Sequence, residues 1–274
     1  MKFQLKALAV ALALVAAVPA QAAMDDAQTG NSSLVLAVYD KTANISALFD
    51  LGKNYSDFNV AGASFANSGI TNPGTVLNWN LSSGDYATAW STYFATATLA
   101  NSVYAIVSTD NLGAGAGNRG LISTYSSFAT NPTTGQLQTV AQNFSSMLNN
   151  NQTSTVALYE NHTLVANGGS VIPGSTPGFG YSPNYFGNSK NFGLGPIAVG
   201  SVGTDLGVFQ YTSAATTFVT PTLTTFGNSA KFNLASNGSL VYSTLAAPIP
   251  EADTWAMMLL GLGFMGFVAR RKQA

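Results

Sequence analysis

The chain has 274 residues with a formal net charge of −1, and only 8% of them are charged, against roughly 25% in an average globular domain. It contains 46% apolar residues, one histidine and no cysteine. This composition excludes disulfide frameworks, thiolate chemistry and Cys-ligated metal sites, and without a basic excess it disfavours nucleic-acid binding. The apolar share is enough for the core of one large β domain.

The amino-terminal 22 residues have the regions of a secretory signal peptide. Two lysines precede an apolar run over 7–18, and Ala20 and Ala22 are the small residues that a signal peptidase requires. We therefore predict a signal peptide over 1–22 that is cleaved after Ala22. The mature chain is then exported, with a β-rich extracytoplasmic domain over 23–247.

Short stretches rich in β-branched and aromatic residues alternate with Gly, Asn, Ser and Pro clusters in this region, which is typical of an all-β sandwich. We predict a mainly β, single sandwich-like domain of the jelly-roll kind. The predicted strands are 33–39, 45–50, 75–80, 102–109, 155–159, 197–202, 206–212, 216–220, 230–234 and 240–244. A hairpin-length loop joins the first two strands, and Asn237-Gly238 is the strongest turn signal.

One or two short helices are expected within this domain. Residues 136–148 place their apolar side chains on one helical stripe, from Leu137 to Leu148. Residues 85–98 form the second candidate, with Asp85 as its N-cap. We expect the aromatic side chains of this second segment to lie in the core rather than in a ligand site.

A long loop rich in glycine, proline and aromatic residues is predicted over 167–195. Its aromatic residues are Phe179, Tyr181, Tyr185, Phe186 and Phe192. Exposed rings there could stack on carbohydrate. The alternative, that they fold back and cover one end of the domain, is the favoured interpretation.

Two motifs suggest chemistry that their surroundings do not support. Residues 115–120 spell G-x-G-x-x-G, but no acid lies between Asp110 and Glu160 to bind a ribose, so we predict no dinucleotide site and interpret residues 110–115 as a flexible turn between strands. The single histidine, His162, has no G-x-S-x-G partner and is expected in a surface or loop position. No catalytic, cofactor-binding or metal-ligating residue is predicted.

Paired carboxylates remain an open alternative, since two of them could hydrolyse a glycoside. The candidates are Asp50, Asp57, Asp85, Asp110, Glu160 and Asp205. Their spacing singles out no pair. Arg119 and Asp110 are expected to pair across their loop in a structural role.

The carboxyl-terminal segment 248–274 has three parts. Pro250 and Glu251 precede an uncharged, mostly apolar run over about 255–269, and a basic cluster over 270–272 follows. We predict a single short transmembrane helix over this run, although the run is short for a membrane span, and Trp255 lies where an interfacial aromatic residue is expected. The basic cluster consists of Arg270, Arg271 and Lys272. By the positive-inside rule it stays in the cytoplasm, so the bulk of the chain lies outside.

This tail resembles the PEP-CTERM sorting signal of Gram-negative bacteria that make exopolysaccharide. Pro250 and Glu251 match the first two positions of the Pro-Glu-Pro motif, and Ala252 replaces the second proline. The resemblance implies an exosortase-like processing enzyme as partner, a transient stay in the inner membrane and cleavage near Pro250-Glu251. The processed protein then resides in the outer envelope or outside the cell.

Three functions follow as expectations. The first is a non-enzymatic envelope or matrix protein, sorted and cleaved by an exosortase-like system, with exopolysaccharide as its candidate partner. The second is a secreted polysaccharide hydrolase that uses two of the carboxylates. The third is an envelope protein whose anchor is never removed.

Overall fold

The computed structural model describes residues 24–61, 69–113, 115–128, 133–162, 167–175, 180–186, 196–197, 199–214 and 218–245. Within these ranges the chain is mainly β with few helices, as predicted. The predicted signal peptide and the carboxyl-terminal segment lie outside the described residues.

The elements are given in chain order. The strands are β1 Ser33–Asp40, β2 Ile45–Asn54, β3 Val76–Asn80, β4 Ser102–Asn111, β5 Arg119–Tyr125, β6 Ser127–Phe128, β7 Tyr159–Glu160, β8 Gly169–Pro173, β9 Pro196–Ile197, β10 Gly200–Ser201, β11 Asp205–Thr212, β12 Thr222–Thr225, β13 Lys231–Leu234 and β14 Ser239–Ser243. The α-helices are α1 Tyr55–Phe58, α2 Ala87–Phe94 and α3 Thr134–Thr153.

Twelve of these strands form one antiparallel sheet in the order β3-β14-β13-β11-β5-β4-β1-β2-β8-β7, with β10 beside β4 and β12 beside β11. The strands β6 and β9 form a separate two-stranded ladder. The hairpin of β1 and β2 has its loop closed by Asp40, whose carboxylate accepts hydrogen bonds from the Thr42 and Ala43 amides.

The sheet curls so that strands far apart in its order meet across an apolar core. The Tyr104 hydroxyl in β4 donates to the Phe232 carbonyl in β13 at 3.0 Å. The Trp79 indole in β3 donates to the Leu51 carbonyl in β2 at 2.7 Å. Phe58 of α1 stacks on Phe232 between these walls. The predicted sandwich-like packing is therefore achieved by a single sheet that folds over itself.

The long helix α3 covers the outer face of the central strands. Its apolar stripe, including Phe144, packs in one cluster with Val35, Ala37 and Val107. Because β1 is buried on both faces, it is a nearly continuous apolar run rather than an alternating one. The helix begins with a capping box in which Thr133 accepts from the Gln136 amide.

Both predicted helices are present with altered ends. The segment 136–148 lies inside α3, and the segment 85–98 contains α2 with its buried Trp90 and Tyr93. Asp85 is not an N-cap, because it lies in the short 3-10 turn Gly84–Tyr86 that precedes the helix.

Two predicted strands are wrong within the described residues. Residues 155–159 form mostly turns, and only Tyr159 joins a strand. The described part of 216–220 is not extended, and the strand β12 begins at Thr222. Conversely, β5 lies in a segment for which no strand is predicted, and β8 lies in the predicted loop over 167–195.

The aromatic loop folds back on the domain. Tyr185 and Phe186 are fully buried beside α3. The Tyr185 hydroxyl donates to the Val140 carbonyl at 2.7 Å. These rings therefore cover the domain and are not exposed for stacking, while Phe179 and Phe192 lie outside the described residues.

Candidate functional site

A polar groove lies at the β3 end of the sheet. In β3, Asn78 and Asn80 are exposed, whereas Trp79 between them turns toward the core. β14 pairs with β3 so that Ser239 lies opposite Asn80, and the turn before β14 adds Asn237. The cavity has a volume of about 490 Å³ and is lined by Asn78, Trp79, Asn80, Ser82, Asn237 and Ser239. We call this cavity the amide groove.

Hydrogen bonds within the protein use only some of the donors and acceptors of the asparagine side chains in the groove. The Asn80 Oδ1 accepts from the Ser82 hydroxyl at 2.8 Å, and the Asn237 Oδ1 accepts from the Ser239 amide at 3.0 Å. The Asn78 side chain has no hydrogen bond to another described residue. Each amide carries two donors and an acceptor, so the groove presents both kinds of group to a ligand.

The wall of the groove is closely packed. Gly238 has a φ of 86°, which favours glycine, and a Cβ there would lie 3.2 Å from the Trp90 ring. Trp79 is held by its indole hydrogen bond and packs against Phe232 with ring centroids 6.2 Å apart. The polar side chains therefore project from a packed base, which reduces the entropy lost when a ligand binds.

No charged residue lines the groove. Its lining residues are uncharged, and on the adjoining strands Lys231 donates to Asp205. Hydrogen bonds from Lys231 and Asn233 hold the pKa of the Asp205 carboxyl below its usual value. The lining itself therefore offers a ligand hydrogen bonds from neutral groups rather than ion pairs.

Two of the predicted carboxylates are buried, but they do not form a pair. Burial raises the pKa of Asp50 to about 6 and that of Asp110 to about 6. Asp50 lies opposite Val35 on the face that α3 covers. Asp110 follows Ile106 on the other face, by the alternation of β4. A glycosidase needs both carboxylates in one cleft, so these two cannot act together.

Three of the remaining four candidate acids have local structural partners. Asp57 accepts from the Asn54 amide at the start of α1, and Glu160 accepts from the His162 amide at 2.6 Å. Asp85 is exposed on its 3-10 turn, and Asp205 is held by Lys231. None of these four lines the amide groove.

His162 lies in a turn after β7 but is only 1% exposed, so the expected surface position is wrong. Neither ring nitrogen has a hydrogen-bond partner among the described residues. Burial lowers the pKa of His162 to about 4, and the nearby Leu48 carbonyl offsets only part of this effect. The ring is therefore neutral at pH 7, and no residue in the described ranges offers it a nucleophile at hydrogen-bonding distance.

The glycines of the G-x-G-x-x-G segment, residues 115–120, have structural roles. Gly115 and Gly117 have φ values of 143° and 79° in the turn before β5. Gly120 faces Tyr55, whose hydroxyl occupies the space that a Cβ would need. Arg119 donates to Asn111 at 3.2 Å rather than to Asp110, so the predicted ion pair is not formed.

No group of three acidic or histidine side chains in the described ranges converges as a metal site would require. Each helix that the structure describes is too short or too polar to span a membrane. The predicted signal-peptidase residues Ala20 and Ala22 lie outside the described residues. The same holds for the sorting residues Pro250, Glu251, Trp255, Arg270, Arg271 and Lys272.

Comparison with known proteins identifies the carboxyl-terminal segment. Residues 248–272 match the model of the PEP-CTERM protein-sorting motif, and this stretch includes all six predicted sorting residues. No curated protein and no solved structure matches the chain. The chain therefore carries a PEP-CTERM sorting motif, which identifies it as a protein exported and sorted through an exosortase-type system.

Proposed function

We propose that the protein is cleaved at its sorting motif and resides in the outer envelope or extracellular matrix, where its β domain binds exopolysaccharide without catalysis. The amide groove is the observation that carries this proposal. Its uncharged amides and hydroxyls match the donors and acceptors of sugar hydroxyls. The two buried acids on opposite faces of the sheet give no support to the alternative hydrolase.

The cleavage is tested by the intact mass of the protein from the envelope and medium of its native host. A mass that matches 23–250, with or without an added group, supports sorting with removal of the tail. A mass that still includes the segment to Ala274 supports the permanently anchored alternative and refutes cleavage.

The polysaccharide contact is tested by affinity electrophoresis of the secreted protein in gels that contain the host's purified exopolysaccharide. The Asn78→Ala variant should bind about fivefold more weakly, because one hydrogen bond is worth about 1 kcal/mol. The matched control is Asn149→Ala, which removes an exposed amide from α3, outside the groove. Equal retardation of the wild type and both variants would refute the groove as the binding site.

A further inference from the structure

Hydrogen bonds hold the end of the folded domain, up to Leu245, close to the start of the sorting motif. The Leu245 amide donates to the Asn228 carbonyl at 2.8 Å, and the Gly74 amide donates to the Leu245 carbonyl at 3.0 Å. The Thr244 hydroxyl also donates to the Asn72 carbonyl at 2.6 Å. The sorting motif begins at residue 248. Only two residues therefore separate Leu245, the last residue that the structure describes, from the motif.

This short connection restricts where the domain can lie while the tail is anchored. Five residues lead from Leu245 to Pro250, and a fully extended chain of that length spans about 17 Å. Ten residues lead to Trp255, which corresponds to about 35 Å at most. A globular domain of this size is about 45 Å across. The surface around Leu245 therefore cannot lie on the side of the domain that points away from the membrane holding the tail.

The surface at this point suits a contact with another protein. We call it the exit face and define it by Asn72, Pro73, Gly74, Val76, Asn228 and Leu245. All six residues are exposed and none is charged, and the two apolar side chains, Val76 and Leu245, are 54% and 61% exposed. The cores of protein interfaces are likewise depleted of charge and contain exposed apolar anchors.

We propose that the exit face lies against the membrane-bound processing enzyme before the tail is cleaved, and that the short tether imposes this contact. The partner follows from the motif, because the enzyme that cuts it must approach within about 20 Å of Leu245. This inference rests on the proposed cleavage. It adds a docking surface on the folded domain that the sorting motif itself does not contain.

The absence of cysteine from the chain permits a direct test. Leu245→Cys and Leu112→Cys each introduce a single thiol, and Leu112 is a matched control because it is 50% exposed beyond the end of β4. The full chain is labelled with a membrane-impermeant maleimide in host membranes, before cleavage. Leu245→Cys should react about tenfold more slowly than the control, which corresponds to a contact favoured by about 1.4 kcal/mol.

Three further measurements make the outcome decisive. In phospholipid vesicles that contain no other protein, the two thiols should react with the maleimide at the same rate. Slower labelling of Leu245→Cys in these vesicles would show a contact with lipid and overturn the proposal. A flexible insertion of eight glycine and serine residues between Ala246 and Ala247 should abolish the protection, and retained protection would show that the tether does not impose it. Cleavage of the wild type is followed in parallel. If the chain is not cleaved, the proposed cleavage fails; if it is cleaved but the two thiols are labelled equally, only the docking surface is refuted.

Discussion

Replacing His162 with leucine removes an ionisable group from a position that is 1% exposed. The folded protein keeps this imidazole neutral, because burial lowers the pKa of His162 to about 4. In the unfolded chain a histidine titrates near 6.5. Protons therefore bind the unfolded chain more readily than the folded one between these two values.

The sign and size of the effect follow from linkage. A histidine with a lowered pKa leaves the free energy of unfolding unchanged above about pH 6.5. It reduces that free energy as the pH falls toward 4. The free energy of unfolding should lose about 2 kcal/mol by pH 5 and about 3 kcal/mol by pH 4, at about 1.4 kcal/mol for each pH unit. The leucine variant lacks this loss.

The assay is urea unfolding of the wild type and His162→Leu at pH 7.5, 5 and 4, followed by tryptophan fluorescence. The difference between the two proteins is the decisive quantity, because Asp50 and Asp110 titrate in the same range with the opposite sign. Wild type should weaken relative to the variant by about 3 kcal/mol at pH 4. A difference that stays constant over this range would refute the burial of a neutral imidazole.

Three other substitutions test separate parts of the fold. The pKa of Asp50 is raised to about 6, so its protonation should add about 2 kcal/mol to the free energy of unfolding from pH 7 to pH 4, and the difference between wild type and Asp50→Asn in urea unfolding should grow by this amount. Gly120→Ala should lower the free energy of unfolding by about 2 kcal/mol or more, because its Cβ displaces Tyr55. Its control, Gly227→Ala, meets no atom within 4 Å and should be nearly neutral. Thr133→Ala should lower the melting temperature through a loss of about 1 kcal/mol at the start of α3.

Most of the strands could be predicted because their apolar and β-branched residues are contiguous. β5 could not, because its buried positions include Ser123 and Thr124, which do not contribute to an apolar period. Thr124 is tolerated there since its hydroxyl accepts from the Ile106 amide at 3.0 Å. β8 could not be predicted either, because it is short and has only Val171 and Ile172 as apolar residues between glycine and proline.

The sorting motif and the amide groove also differ in how far they can be predicted from the sequence. The sorting motif is contiguous, so its residues can be recognised without a structure. The amide groove combines Asn78 and Asn80 with Asn237, which the pairing of β3 with β14 brings together. Asparagine and serine are also ordinary turn residues, so their composition alone gives no indication of a binding site.

The pairing of β3 with β14 also determines when the domain can finish folding. β3 is made early, but its partner is the last strand of the sheet, with Asn80 opposite Ser239. A chain that emerges from its amino end must therefore keep β3 unpaired until residue 243 has appeared. The sorting motif follows five residues later, so tertiary structure and membrane anchoring are completed almost simultaneously.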